Sequence, residues 1–233
     1  MLADLTDIQA PLLWQQAQWQ SFCQMMSAER LPHGLLLTGP EGVGKSRFAL
    51  AMAHRLLCLN PSQEQACGAC KGCQLNRAGS HPDLYLAEPE AEGKIIRVDQ
   101  IRAVVEVVAK TSQLGGYRVV VLCPAEAMNV NAANALLKSL EEPGAETVLI
   151  LVSHQSSGVL PTIRSRCQVL SFCLPPREQA CDWLARFTED RRRSEHVLNV
   201  ANGAPIRALA LCDSDWLGER AKVLQQWLSV LQG

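Results

Sequence analysis

One octapeptide of the chain has the residue types and spacing that bind phosphate. GPEGVGKS matches G-x-x-x-x-G-K-[ST] at every fixed position, and it lies between an apolar run and a helical pattern. Gly39, Gly42 and Gly44 let the backbone curl so that its N–H groups point at phosphate oxygens. Lys45 would reach the β- and γ-phosphates, and Ser46 would offer its hydroxyl to Mg²⁺. The pattern predicts a site for ATP or ADP with Mg²⁺; a glycine-rich turn without a ligand is the alternative.

Hydrolysis of a bound nucleotide requires acidic residues as well, typically at the end of a neighbouring buried strand. The candidate strand is RVVVLC, and the residues after it are Pro124, Ala125 and Glu126. No Asp-Glu pair follows the strand, and Glu126 lies about two residues late. The sequence therefore predicts weak or absent hydrolysis by this chain, although a carboxylate from elsewhere remains an alternative.

Four cysteines have the spacing of a metal site. Cys58, Cys67, Cys70 and Cys73 follow the pattern C-x8-C-x2-C-x2-C, so they define a module at about 58–73. Four thiolates complete a tetrahedral shell and leave no open position, which indicates structural Zn²⁺. An iron–sulfur cluster and free thiols are the alternatives.

Strand and helix patterns alternate through the first three quarters of the chain. Apolar runs predict strands at 34–38, 84–86, 118–123, 147–153 and 168–173. Helical spacing predicts helices at 11–28, 46–60, 98–110 and 132–142. Leu13 and Ala17 are expected on the apolar face of the first helix, and Asp99 is expected to cap the third. The alternation indicates an α/β fold with a doubly wound parallel sheet.

The composition excludes several classes of protein. The 233 residues are 48% hydrophobic and carry a net charge of −1, so the chain has enough apolar residues for a core and no global positive field for nucleic acid. Aromatic residues make up 5%, which disfavours a zinc-dependent nucleic-acid binder that stacks bases. No apolar run approaches the ~18 residues of a membrane span. The N-terminus has no signal-peptide pattern. A cytoplasmic protein is expected.

Two further motifs complete a resemblance to a known family. NALLKSLEEP at 134–143 and IRSRC at 163–167, together with the phosphate loop and the cysteines, resemble the bacterial DNA polymerase III clamp-loader subunits. The resemblance implies an AAA+ nucleotide-binding-type domain at 1–174 and a small helical lid at 175–212. It also implies that 213–233 begins a truncated collar domain.

Within this family the chain resembles the delta-prime type more than the gamma/tau motor type. PLLWQQAQWQSF, LPHGLLLTGP and CKGCQLNRAGSHPDLY are similar to delta-prime segments, and the missing acidic pair agrees with them. The resemblance implies a stator subunit that helps load the sliding clamp onto primed DNA. Its partners would be the gamma/tau and delta subunits. A catalytically active gamma/tau-type ATPase is the alternative.

The resemblance also assigns roles to three polar residues. Arg166, in the Ser-Arg-Cys motif, is implied to reach the ATP site of the adjacent subunit as an arginine finger. Arg207 corresponds to the sensor-2 arginine that contacts nucleotide in cis, and Ser153 to the sensor-1 polar residue. The alternative for Arg166 is a surface arginine without a role at a nucleotide. For Arg207 it is a solvated helix arginine, and for Ser153 an ordinary serine at a strand end.

Overall fold

The computed structural model describes residues 10–62, 64–91, 93–188, 190–212 and 226–227. The chain divides into two compact units, and the division falls between Cys173 and Leu174. The short segment Glu41–Val43 groups with the second unit. The predicted start of a collar domain at 213–233 lies outside the described residues, apart from two positions.

The first unit contains a five-stranded sheet in which every strand pair is parallel. Its strands are β1 (Gly34–Thr38), β2 (Leu84–Ala87), β3 (Arg118–Leu122), β4 (Thr147–Ser153) and β5 (Gln168–Ser171). The strand order is β2-β3-β4-β1-β5. This confirms the predicted parallel sheet.

Two strands end earlier than predicted. β3 ends at Leu122, because Pro124, two residues later, has no N–H with which to continue the hydrogen-bond ladder. β5 ends at Ser171, because its partner β1 ends at Thr38; one more ladder bond runs from the Phe172 N–H to the Thr38 carbonyl (2.7 Å). Cys173, beyond the end of β5, is exposed.

Helices connect the strands. The first unit contains α1 (Gln16–Ser27), α2 (Lys45–Leu56), α3 (Lys71–Arg77), α4 (Val98–Val108), α5 (Val130–Glu141) and α6 (Pro161–Arg164). The second contains α7 (Arg177–Leu184), α8 (Arg191–Val200) and α9 (Pro205–Cys212). The sequence patterns did not predict the short helices α3 and α6. Within the part of the chain that the structure describes, no helix has the length and apolar character to cross a bilayer.

The apolar face predicted for the first helix is wrong in part. Leu13 and Ala17 are exposed, whereas Trp19, which the pattern left out, is buried. The Trp19 ring lies 5.2 Å from Phe22 and 5.6 Å from Phe48, measured between ring centroids. The reason is the helical spacing itself: the buried residues Leu12, Gln15, Trp19 and Phe22 recur every three or four positions and share one face, which Leu13 and Ala17 do not.

The predicted cap of α4 is also wrong. The helix begins at Val98, as predicted, but its N-cap is Arg97, whose N–H donates to Gln100 Oε1 at 2.8 Å. Asp99 lies in the first turn and forms an exposed ion pair with Arg102 at 3.1 Å. Ile101, Val104 and Val108 form the buried apolar stripe of the helix, and Val105 beside them is half-buried.

A buried ion pair fixes the loop between α4 and β3. Asp83 accepts hydrogen bonds from the backbone N–H groups of Gln113 (2.7 Å) and Leu114 (3.0 Å), and its Oδ1 lies 3.8 Å from Arg118 Nη2. The Asp83 and Arg118 side chains are 1% and 3% exposed. The guanidinium also donates to three backbone carbonyls, those of Val107, Lys110 and Thr111. Both buried charges therefore have hydrogen-bond partners, as burial requires.

We expect Asp83→Asn to lower the free energy of unfolding by about 3–5 kcal/mol, because the buried guanidinium of Arg118 loses its carboxylate. Asp99→Asn is the matched control: its pair with Arg102 is exposed and should contribute about 0–1 kcal/mol. Urea unfolding of both variants measures the difference. Equal losses would contradict the importance of the buried pair.

Candidate functional site

The phosphate loop begins where β1 ends. Gly39 has φ of +146°, and a Cβ at this position would lie 2.1 Å from the backbone oxygen of Phe172. Only glycine therefore fits the close passage beside β5. Gly44 has φ of +90° and is the N-cap of α2, so the loop leads directly into a helix N-terminus. The backbone N–H groups and the dipole at this end favour an anion.

The lysine of the loop is in place for phosphate chemistry. Lys45 is 2% exposed, and its Nζ donates to the carbonyls of Gly39 (2.7 Å) and Pro40 (2.6 Å). A phosphate brings negative charge to this ammonium, and hydrogen bonds between two charged groups are stronger than those to neutral carbonyls. The arrangement can bind a phosphate group.

A cysteine thiol lies beside the serine expected to hold Mg²⁺. Cys123 follows β3, and its Sγ is 3.3 Å from Ser46 Oγ. Burial raises the pKa of the Cys123 thiol to about 11, so the thiol is neutral at physiological pH. Mg²⁺ prefers carboxylate and water oxygens, and a neutral thiol is a poor substitute. The end of β3 therefore lacks the metal-binding acid of a hydrolysing site.

The nearest acid has a different partner. Glu126 Oε1 accepts hydrogen bonds from the backbone N–H groups of His154 (2.8 Å) and Gln155 (3.2 Å). These two residues follow β4, so the Glu126 carboxylate supports the segment after that strand. These contacts give Oε1 of Glu126 a structural role, whereas its Oε2 is buried without a hydrogen-bond partner among the residues described.

Ser153 ends β4 at the same edge of the sheet. In the register of β1 and β4, Ser153 stands opposite Thr38, and Thr38 immediately precedes Gly39 of the phosphate loop. Ser153 is fully buried, and its Oγ has no hydrogen-bond partner among the residues described. Buried hydroxyls rarely remain unpaired, so the Ser153 hydroxyl is a candidate contact for a bound group.

Arg207 lies beside Gly42, a glycine of the phosphate loop that belongs to the second unit, as Arg207 does. The Ile206 N–H, at the start of α9, donates to the Gly42 carbonyl at 2.9 Å. Gly42 has φ of +77°, and a Cβ there would lie 2.7 Å from the Arg207 Cβ. A side chain at Gly42 would therefore displace the first turn of α9. Arg207 itself is exposed.

The four cysteines form one compact cluster. All four sulfurs lie within 4.8 Å of one another. Cys58 and Cys70 Sγ are 3.8 Å apart, and Cys67 and Cys73 Sγ are 3.9 Å apart. Four thiolates around one Zn²⁺ at 2.3 Å would be about 3.8 Å apart, as tetrahedral geometry requires. A multi-iron cluster would need wider separations, so the geometry favours a single ion.

Backbone N–H groups within the cluster stabilise thiolates. The N–H groups of Cys67, Cys70 and Cys73 donate to the sulfurs of Cys58, Cys67 and Cys70 respectively, at 3.2 to 3.5 Å. Hydrogen bonds from the Ala69 and Cys70 N–H groups lower the pKa of Cys67. Burial raises the pKa of Cys70, but N–H groups including that of Cys73 outweigh it and lower the pKa to about 6. Burial raises the pKa of the other two ligands, Cys58 and Cys73, so two of the four thiols lose their protons readily and a bound cation would displace the protons of the other two.

Arg166 lies at the surface between α6 and β5. Its Nη2 is 2.6 Å from Glu141 Oε1, and its Nη1 donates to the Thr162 carbonyl at 3.0 Å. The Arg166 side chain is 36% exposed. The guanidinium is therefore ordered and still accessible to a second molecule.

Three contributors to these sites are absent from the sequence-based candidates. Cys123 is the residue that contacts Ser46, Glu141 is the partner of Arg166, and His33 hydrogen-bonds the carbonyl of Leu140 through Nε2 at 2.7 Å. Glu141 lies in the NALLKSLEEP motif, so the sequence showed the motif but did not show that Glu141 pairs with Arg166. Cys123 resembled any other apolar residue at a strand end.

Comparisons with known proteins agree on one family. The family model described as DNA polymerase III, delta subunit, matches residues 14–175. The delta' subunit of DNA polymerase III from Pseudomonas aeruginosa is 49% identical and aligns with 91% of this chain and 64% of its own length. The Escherichia coli delta' subunit is 37% identical, over 87% of this chain and 61% of its own length. The chain thus spans less than two thirds of these curated relatives.

Similarity extends to a gamma/tau relative and to solved structures. The gamma/tau subunit of Mycobacterium bovis is 30% identical over 81% of this chain and 33% of its own length. The RuvB Holliday junction branch migration motor of Thermotoga maritima has a TM-score of 0.55 at 13% identity, over 94% of this chain and 63% of that one. A gamma subunit-related protein of the same organism has a TM-score of 0.50 at 21% identity, over 72% and 49%.

The sheet order and these structural neighbours show the AAA+ fold. The family model covers more than half of the chain, and the Pseudomonas aeruginosa and Escherichia coli relatives share one description. The chain belongs to the DNA polymerase III delta-prime subunit family.

Proposed function

We propose that this chain is a stator subunit of the clamp loader that helps to load the sliding clamp onto primed DNA. In this role it presents Arg166 to the ATP site of a neighbouring gamma/tau subunit, and the delta subunit is a further partner. The observation that carries the proposal is the ordered but accessible guanidinium of Arg166, in a chain whose own phosphate loop lacks an acid beside Ser46. Replication in bacteria takes place in the cytoplasm, which is the proposed location.

Arg166 would act by electrostatic stabilisation. During transfer of a γ-phosphoryl group, negative charge develops on its oxygens, and a planar guanidinium can donate two N–H groups to them. The chain then contributes to catalysis without hydrolysing nucleotide itself. Opposite charges attract the side chain to any triphosphate that a partner brings within reach.

The chain's own loop would serve as a nucleotide-holding site. Its backbone N–H groups and Lys45 would hold the phosphates, with Ser153 at the adjacent strand end. Arg207 keeps the sensor-2 role that the resemblance implies. The group beside Ser46 is the neutral Cys123 thiol, at a place where a hydrolysing site would have a metal-binding carboxylate. Binding without turnover is the expected behaviour. This favours the delta-prime type over a gamma/tau-type motor.

The cysteine cluster would hold one structural Zn²⁺. Four thiolates close the coordination shell, so the ion would take no part in hydrolysis. Cys58 follows α2 and the other three ligands surround the start of α3, so the ion would tie the inserted module to the nucleotide-binding domain.

Arg166→Ala is expected to lower ATP turnover at the neighbouring subunit's site by about 10³-fold or more, because an arginine finger contributes about 10³–10⁵ in kcat. Steady-state hydrolysis by the assembled loader in the presence of primed DNA measures it. Arg164→Ala is the matched control, since Arg164 is an exposed arginine two residues away. Unchanged turnover at that site in the Arg166→Ala loader would refute the proposed function.

For the isolated chain, we expect ATP binding that changes little when Mg²⁺ is removed with EDTA, and no hydrolysis above background. Lys45→Ala should weaken binding at least tenfold, about the loss of one charge-assisted hydrogen bond. Lys138→Ala, which removes an exposed lysine on α5, is the control. Calorimetric titration and a phosphate-release assay give the two quantities. Mg²⁺-dependent turnover that Lys45→Ala abolishes would instead assign the chain to the motor type.

Purified chain should contain about one zinc ion per molecule, the capacity of a single tetrahedral four-thiolate site. Cys67→Ser should reduce the zinc content to near zero and lower the melting temperature, because the module loses its cross-link. Cys173→Ser, at an exposed cysteine outside the cluster, should retain the metal. Elemental analysis decides between zinc and iron, and iron with sulfide would overturn the zinc assignment.

A further inference from the structure

The guanidinium of Arg166 has contacts on more than one side. Nη2 forms the ion pair with Glu141, and Nη1 donates to the Thr162 carbonyl at 3.0 Å and approaches Ser165 Oγ at 3.5 Å. An isolated surface arginine would lose much rotamer freedom on being ordered, and these contacts supply the compensation. The side chain is therefore placed in one orientation before any partner arrives.

The end of α5, where Glu141 lies, is held firmly. It is the last residue of α5, and the preceding residue, Leu140, is 1% exposed. The Leu140 carbonyl accepts a hydrogen bond from His33 Nε2 at 2.7 Å. A Cβ on Gly34 would lie 3.0 Å from Leu140 Cδ2 and 3.3 Å from Cys167 Sγ, so the end of α5 and the Ser-Arg-Cys segment both pack closely on the start of β1.

We propose that Glu141 is a positioning residue for Arg166. Its carboxylate fixes the direction in which the guanidinium faces the neighbouring nucleotide, and it does not touch that nucleotide itself. This inference depends on the proposed function of Arg166. Of the five guanidinium N–H groups, the contacts among the described residues occupy at most three, so at least two remain for phosphate oxygens.

The exposure of the pair sets the size of the effect. Glu141 and Arg166 side chains are 49% and 36% exposed, so water and salt screen their attraction. An exposed pair of this kind changes an equilibrium by roughly two- to fivefold, far less than loss of the arginine itself. The carboxylate can thus orient the guanidinium without preventing its contact with a triphosphate.

The test is ATP hydrolysis by the assembled clamp loader on primed DNA, with Glu141→Gln and Arg166→Ala singly and together. Glu141→Gln should lower kcat roughly two- to fivefold with the KM for ATP unchanged, since orientation of the finger affects the transition state rather than nucleotide binding. In the Arg166→Ala background the same change should have no further effect. Glu142→Gln, at the adjacent exposed glutamate, should match the wild type.

The possible results distinguish the positioning role of Glu141 from the arginine-finger role of Arg166. If Arg166→Ala lowers turnover but Glu141→Gln does not, or raises it, the positioning role is wrong and the arginine finger stands. An equal loss with Glu142→Gln, or a loss that adds to that of Arg166→Ala, also overturns the positioning role. If Arg166→Ala itself has no effect, the proposed function fails, and the inference fails with it. Unchanged melting temperatures for all four variants exclude unfolding as the cause.

Discussion

The register of β1 between β4 and β5 determines what the functional edge of the sheet contains. Thr38 stands opposite both Ser153 and Ser171, so three carboxyl ends meet where the phosphate loop begins. Parallel strands place the loops that follow them on one edge, which is where such folds bind ligands. The loop passes so close to β5 that Gly39 has no room for a side chain. A slip of one residue would separate these groups and turn the buried faces of the strands outward.

The chain uses ion pairs in two different ways. Asp83 and Arg118 are almost fully buried and surrounded by hydrogen bonds, so their separation would leave charges without water or partner. Glu141 and Arg166 are partly exposed, and water can compensate each when the other moves away. The buried pair therefore stabilises the fold, whereas the exposed pair leaves an arginine that a partner's phosphate can engage. Burial, not the distance between charges, makes this difference.

Local patterns in the sequence predicted much of the fold and the sites, because strand runs, the phosphate loop and cysteine spacing involve neighbours along the chain. Contacts between distant residues escaped prediction. Trp19 is buried because it packs on Phe22 and on the distant Phe48, and Gln100, not Asp99, provides the capping oxygen at the start of α4. The sequence showed that an acid is missing after β3, but only the structure shows Cys123 against the loop serine and Glu141 against the motif arginine.

The central claim is that the arginine of this chain completes a neighbour's ATP site. The most direct measurement is a structure of the assembled loader with a non-hydrolysable ATP analogue in that site. We expect the Arg166 guanidinium within hydrogen-bond distance, about 2.7–3.2 Å, of a γ-phosphate oxygen. The claim would be contradicted if another residue contacted that phosphate while Arg166 remained remote from it.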